Sequence, residues 1–190
     1  MNNLTTDSLV QTAKPQAAYT RTARGIHWLM TVLIIGMLAL GWYMMAIEDE
    51  PGSGLYFSIH KSIGITLLLL IALRLLWRLA NQPGLLPQHL PQWQVTASKA
   101  SHYLLYATMF AMPLAGFAGA LFSKKGIAFF GLQLPTLVES NHDLAELFFS
   151  MHSVIAWVFV GLISLHLLAA LKHLLINKDG VFQRMWFEKK

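Results

Sequence analysis

Eight histidines stand against nine carboxylates and no cysteine in this chain of 190 residues. Four of the histidines fall inside long apolar runs. His27 lies at one end of the first run, His60 at the opposite end of the second, and the fourth run carries both His152 and His166. An ionisable side chain in a membrane-length apolar run is a functional hypothesis, because desolvating it is costly and its structural uses are few. On an α-helix the fourteen residues from His152 to His166 turn through about 1400°, some 40° short of four full turns, and rise roughly 21 Å. The two rings therefore share one face at two depths. His166 falls level with His27, and His152 level with His60. Two imidazoles from two helices at one depth are the axial set of a six-coordinate b-type haem, whose porphyrin supplies the other four nitrogens. A structural zinc needs four protein ligands, and neither cysteine nor an intramembrane carboxylate is present to complete such a set. A lone membrane histidine is more often an interhelical hydrogen-bond partner than a ligand; four at matched depths favour ligation.

Other residues extend this pattern. Arg74 follows His60 by the same fourteen residues, which brings it to the inner level on the same face, where it can neutralise a haem propionate. The plainer reading makes Arg74 and Arg78 inner-leaflet anchors. Gly64, and Ala169 with Ala170, sit about one turn after His60 and His166 and allow a flat ring close to the helix backbone, although glycine also serves ordinary helix packing. His173 is seven residues past His166, about 20° off the same face and roughly 10 Å nearer the inner surface. His102 begins the third run at a similar depth. Imidazoles there suit a quinone, whose carbonyls take hydrogen bonds and whose reduction consumes protons; interfacial histidines without a ligand are the alternative. His89 and His142 fall in loops and read as solvated.

The elements that must hold these side chains are membrane spans. The chain is 55% hydrophobic and 12% charged, about half the charge of a soluble domain. Uncharged or nearly uncharged runs occupy Ile26 to Ile47, Ser62 to Leu73, Ala100 to Ser123 and Leu147 to Leu171. A spanning helix needs about 20 apolar residues, and the second run reaches that length if its flanking basic side chains snorkel. The expected fold is all-α, a four-helix transmembrane bundle enclosing two b haems. Eleven of the fourteen basic residues fall on one side of a four-span path, against three acidic ones, giving +8 there and −3 opposite. The positive-inside rule puts both termini in the cytoplasm. The high isoelectric point thus reports topology, and no nucleic-acid partner is expected. Residues 1–22 read as a polar cytoplasmic segment without signal-peptide features, 23–177 as the membrane domain and 178–190 as a cytoplasmic tail. Trp28, Trp42, Trp77 and Trp186 lie near span ends, as interfacial aromatics do. Glu48 to Gly54 reads as a short outer turn, 81–93 as an extended inner loop, and 126–135 as an outer loop with an amphipathic piece.

Several segments carry a family resemblance. Gly25-Ile26-His27-Trp28, Ile59-His60-Lys61-Ser62-Ile63-Gly64, Arg74-Leu75-Leu76-Trp77-Arg78, Phe130-Gly131-Leu132-Gln133-Leu134-Pro135 and the closing run Lys178 to Met185 resemble the bacterial cytochrome b561 family, in order, over about residues 20 to 186. The resemblance implies a bacterial inner-membrane protein with two haem b, the inner on His27 and His166 and the outer on His60 and His152. It also implies a superoxide oxidase, an oxidoreductase passing electrons from periplasmic superoxide to ubiquinone. Lys61, Lys124 and Lys125 would attract an anion locally, whereas the acidic outer side repels it at long range. A different class stays open: a haem-bearing membrane anchor for a dehydrogenase or a periplasmic carrier, with no outer substrate site of its own. A transporter is disfavoured, because no span holds a carboxylate for ion coupling or paired Gly/Pro interruptions.

Overall fold

The computed structural model describes residues 18–84, 90–135 and 137–186. Four helices carry the chain: α1 (Arg21–Ala46), α2 (Ser53–Ala80), α3 (Gln92–Phe122) and α4 (His142–Leu171). Each is long and apolar enough to cross a membrane. At 26 to 31 residues they reach about 39 Å or more, against a hydrocarbon core of roughly 30 Å. All four begin before the uncharged runs of the sequence. The largest extension is in α2, whose ends take in Lys61, Arg74 and Arg78 within one continuous helix. His89 and the polar lead up to residue 17, with Lys14, lie outside the described residues.

Local chemistry sets the ends. The Thr20 hydroxyl accepts from Ala23 N at 3.2 Å and caps α1, and it also accepts from the Trp77 indole at 2.9 Å. Asn141 caps α4 through its side chain, at 3.0 Å from Leu144 N, with Asp143 in the first turn where the helix dipole favours an anion. Pro113 stands inside α3, where it withholds one backbone donor.

Neighbouring helices pack in chain order, α1 on α2, α2 on α3 and α3 on α4, while α1 and α4 scarcely approach one another. Met30, Met37, Leu67 and Ile71 form a buried apolar cluster between α1 and α2. Few residues are buried, and large apolar side chains such as Val32, Leu69, Val154 and Leu165 face outward at 64–69% exposure. A bundle whose solvent is lipid has no reason to hide them.

Two features depart from the sequence expectation. The outer loop after α3 is a small hairpin, β1 (Ala128–Phe129) paired antiparallel with β2 (Leu132–Gln133). Its two-residue turn puts Phe130 at φ 45° and Gly131 at φ 86°, the positive pair that tight hairpins require. Phe130 N–H donates to the buried Ser62 hydroxyl at 2.9 Å, and Lys61 Nζ donates to Gly126 O at 2.8 Å. The hairpin is thus pinned to α2 directly after His60. The second departure is the end of the chain. Helix α4 continues as a π-wound turn, Lys172–Asn177, and the segment beyond forms a short 3₁₀ turn, Phe182–Arg184. That segment is a strap, not a loose tail. Arg24 donates to Trp186 O at 2.7 Å, Trp28 to Met185 O at 3.0 Å, and Tyr19 N to Arg184 O at 3.2 Å. Arg184 is buried and also donates to Gly84 O.

Candidate functional site

The fourteen-residue step along α4 performs as helix geometry requires. His60 and His152 face each other with ring centroids 6.0 Å apart, and His27 and His166 do so at 6.5 Å. The first pair joins α2 to α4 and the second α1 to α4, helices whose backbones do not pack closely; Trp42 and Trp157, with rings 5.7 Å apart, also bridge α1 and α4. Two ligands on one metal at about 2 Å each, with just over 1 Å from nitrogen to ring centre, place the centroids roughly 6 Å apart. Both pairs fit that spacing. Among the described residues no group of three or more His, Asp or Glu is arranged to hold a metal ion unaided. A pair of imidazoles that completes its metal's sphere with a porphyrin is the set these residues can supply.

The outer pair is oriented by its surroundings. His152 Nδ1 donates to Met112 O at 2.7 Å, which leaves the Nε2 lone pair available to a metal; ligand histidines are commonly fixed in this way. Gly116 makes room for the ring, since a Cβ there would lie 2.8 Å from His152 Nδ1. His60 Nδ1 is buried with no hydrogen-bond partner among the described residues. A buried polar nitrogen so left costs about 1–3 kcal/mol, which only a group that engages Nδ1 itself would offset.

The inner level holds a third imidazole. His102 lies 5.7 Å from His166, ring centre to ring centre, with its Nδ1 on Ser98 O at 2.7 Å. Arg74 reaches the inner level as the fourteen-residue step implies, its guanidinium donating to Ala23 O at 3.0 Å, four residues before His27. Gly64 is open toward its surroundings, with only the tip of Met37 within 4 Å of a Cβ placed there.

His173 is elsewhere. It is the second residue of the π-wound turn, so the α-helical phase carried from His166 does not extend to it unchanged. Its Nδ1 meets Asp179 Oδ2 at 2.6 Å. The two histidines expected near a quinone thus have different neighbours, His166 for His102 and Asp179 for His173. Sequence reasoning missed Gly116, Met112 and Asp179. Asp179 lay in a run recognised only as part of a motif, and Gly116 was one of thirteen glycines with nothing to distinguish it.

A helical membrane bundle with paired imidazoles at two depths has the build of a membrane b-type cytochrome. The chain belongs to the prokaryotic cytochrome b561 family, whose model matches residues 18–188. It is 34% identical over 164 residues to cytochrome b561 homolog 2 of Escherichia coli strain K12, covering 84% of this chain and 86% of that protein. Identity to cytochrome b561 homolog 1 of the same organism is 29% over 180 residues, 90% of this chain and 98% of the relative. The probable superoxide oxidase CybB of Yersinia pestis is 30% identical over 173 residues, 87% of this chain and 94% of its own length. Membrane electron transfer and haem b binding are the properties of this family.

Proposed function

We propose that the chain is a two-haem b cytochrome of the bacterial inner membrane that moves electrons between a periplasmic donor, superoxide, and membrane ubiquinone. The observation that carries this reading is the pair of facing imidazole sets, at 6.0 and 6.5 Å, stacked roughly 21 Å apart along α4. His60 and His152 would hold the outer haem iron, and His27 and His166 the inner one. Bound haem supplies one-electron chemistry. The chain's own part is to fix ligand orientation, through the Met112 carbonyl on His152, and to supply charge at the inner level, where Arg74 would neutralise a propionate.

At the inner end, His102 and His173 are the proposed quinone contacts, at the level where a quinone in the bilayer meets cytoplasmic protons. At the outer end, Lys124 and Lys125 lie on the surface beside the hairpin, while Lys61 is engaged by Gly126 O. The relative named as a probable superoxide oxidase supports superoxide as donor. The lysine and arginine distribution supports a topology with both termini in the cytoplasm. Stopped-flow absorbance tests the reading. Superoxide added to the oxidised protein with ubiquinone present should give fast haem reduction followed by quinone-dependent reoxidation. Reduction by quinol alone, with superoxide inert, would instead make the chain a quinol-linked partner of another redox protein.

A further inference from the structure

Asp179 sits at the end of a turn built to return it to His173. Lys178 adopts the left-handed conformation, φ 50°, and reverses the chain directly after the π-wound turn. The Asp179 side chain is only 6% exposed, and that of His173 is 18% exposed. The carboxylate accepts three hydrogen bonds: Oδ2 from His173 Nδ1 at 2.6 Å and Asn177 Nδ2 at 3.3 Å, and Oδ1 from Val181 N–H at 3.1 Å. Burial alone would push the Asp179 carboxyl up, but the bonds from His173, Val181 and Asn177 outweigh it and hold the group below its ordinary value. An ionised carboxylate only accepts, so the proton of a neutral His173 ring resides on Nδ1. Nε2 then carries a lone pair, and no hydrogen bond engages it among the described residues.

We infer that Asp179 is a positioning residue that fixes His173 with a bare Nε2, which selects a ring bearing a hydroxyl, the reduced quinol, over the bare carbonyl of the quinone. This rests on His173 being a quinone contact, as proposed above. A lone-pair nitrogen accepts from a phenolic O–H, whereas opposite a carbonyl oxygen it meets a second acceptor and gains nothing. Asp179→Asn should reverse the assignment without changing shape. Val181 N–H can only donate, so it keeps the amide oxygen, and the amide NH₂ then faces His173 Nδ1 and Asn177, whose side-chain amide turns to present its oxygen. The ring proton must move to Nε2.

The experiment uses the full-length, haem-loaded protein in detergent, labelled with ¹⁵N-histidine and reduced with dithionite so that low-spin iron is diamagnetic. Long-range ¹⁵N–¹H correlation on this sample reads the tautomer; on separate samples free of dithionite, equilibrium binding of ubiquinone-1 to the ferric protein and of ubiquinol-1 to the ferrous protein, pairs that exchange no electrons, reads selectivity. The wild type should show Nδ1–H on His173 and bind the quinol about five- to tenfold more tightly, the worth of one hydrogen bond. Asp179→Asn should show Nε2–H and lose that preference, and Asp179→Glu should restore Nδ1–H. Nε2–H in the wild type, or an unchanged tautomer in Asp179→Asn, overturns the role of Asp179. Should Asp179→Asn fail to fold, the wild-type tautomer and its two affinities decide. Equal affinity of the wild type for both forms overturns the selection. If His173→Ala leaves both affinities unchanged, the quinone placement itself fails, and a wild-type Nδ1–H signal would still mark Asp179 as the residue that fixes the ring.

Discussion

Replacing Gly116 with alanine tests whether His152 is held as a ligand must be. The added methyl would stand 2.8 Å from His152 Nδ1, 3.0 Å from Cε1 and 3.6 Å from Cγ. Ordinary carbon contacts are about 3.5–4.0 Å, so the ring or helix α3 must yield by roughly half an ångström or more. His152 is tied to Met112 O at 2.7 Å, on the same helix as Gly116, so the ring cannot retreat without lengthening that bond. Overpacking of this kind costs about 1–3 kcal/mol, and functional side chains tolerate displacement of only about 0.5 Å. The outer haem should therefore bind about five- to 150-fold more weakly, or be lost, while the inner one remains. Glycine to alanine within a helix otherwise gains about 1 kcal/mol. Gly161→Ala, with nothing within 4 Å of its Cβ, is thus a control expected to be neutral or stabilising. Haem content and reduced-minus-oxidised spectra of the two variants are the assay. A Gly116→Ala protein with full haem content and an unaltered outer-haem potential would refute the claim that this glycine seats the ligand.

Further outcomes concern other elements. His60→Ala should lose the outer haem and block electron entry from that side, with the inner haem still reducible by quinol; emptying of both sites by every single substitution would show instead that the two levels fold as one. Arg74→Gln should lower the potential of the inner haem in a redox titration, because a cation that favours the reduced state is gone, and should leave the outer one unmoved. Trp28→Phe deletes the 3.0 Å bond to Met185 O, worth about 0.5–1.5 kcal/mol, so hydrogen exchange of the strap amides should speed up about two- to tenfold. Asp179 is held below its ordinary carboxylate value when folded. Its contribution is therefore complete above the unfolded value and lost as pH falls through the folded one. The Val181 amide should lose protection in acid below the usual carboxylate range, and Asp179→Asn should remove that acid dependence.

The chemistry was legible wherever it followed a period. His152 and His166 are on one helix, so their spacing alone set both levels, and apolar runs bounded by charge marked four spans. What lay between elements was not legible. His102 meets His166 because α3 and α4 pack closely, and no period within either helix states that. The strap looked like a tail because its hold on α1 runs through backbone carbonyls, Met185 O and Trp186 O, which any residue can offer. The hairpin at Phe130 was missed because its turn needs a positive φ at a phenylalanine, a costly choice made tolerable by the Ser62 hydroxyl. The π-wound turn that carries His173 left no mark in composition, and α-helical counting does not describe its winding.

The most direct measurement is the haem-to-protein ratio, taken by pyridine haemochrome against quantitative amino-acid analysis, for the wild type and for His27→Ala and His60→Ala. Two imidazole pairs at 6.0 and 6.5 Å predict two low-spin haem b per chain, falling to one in each variant. A ratio of one in the wild type, unchanged by His27→Ala, would contradict the account.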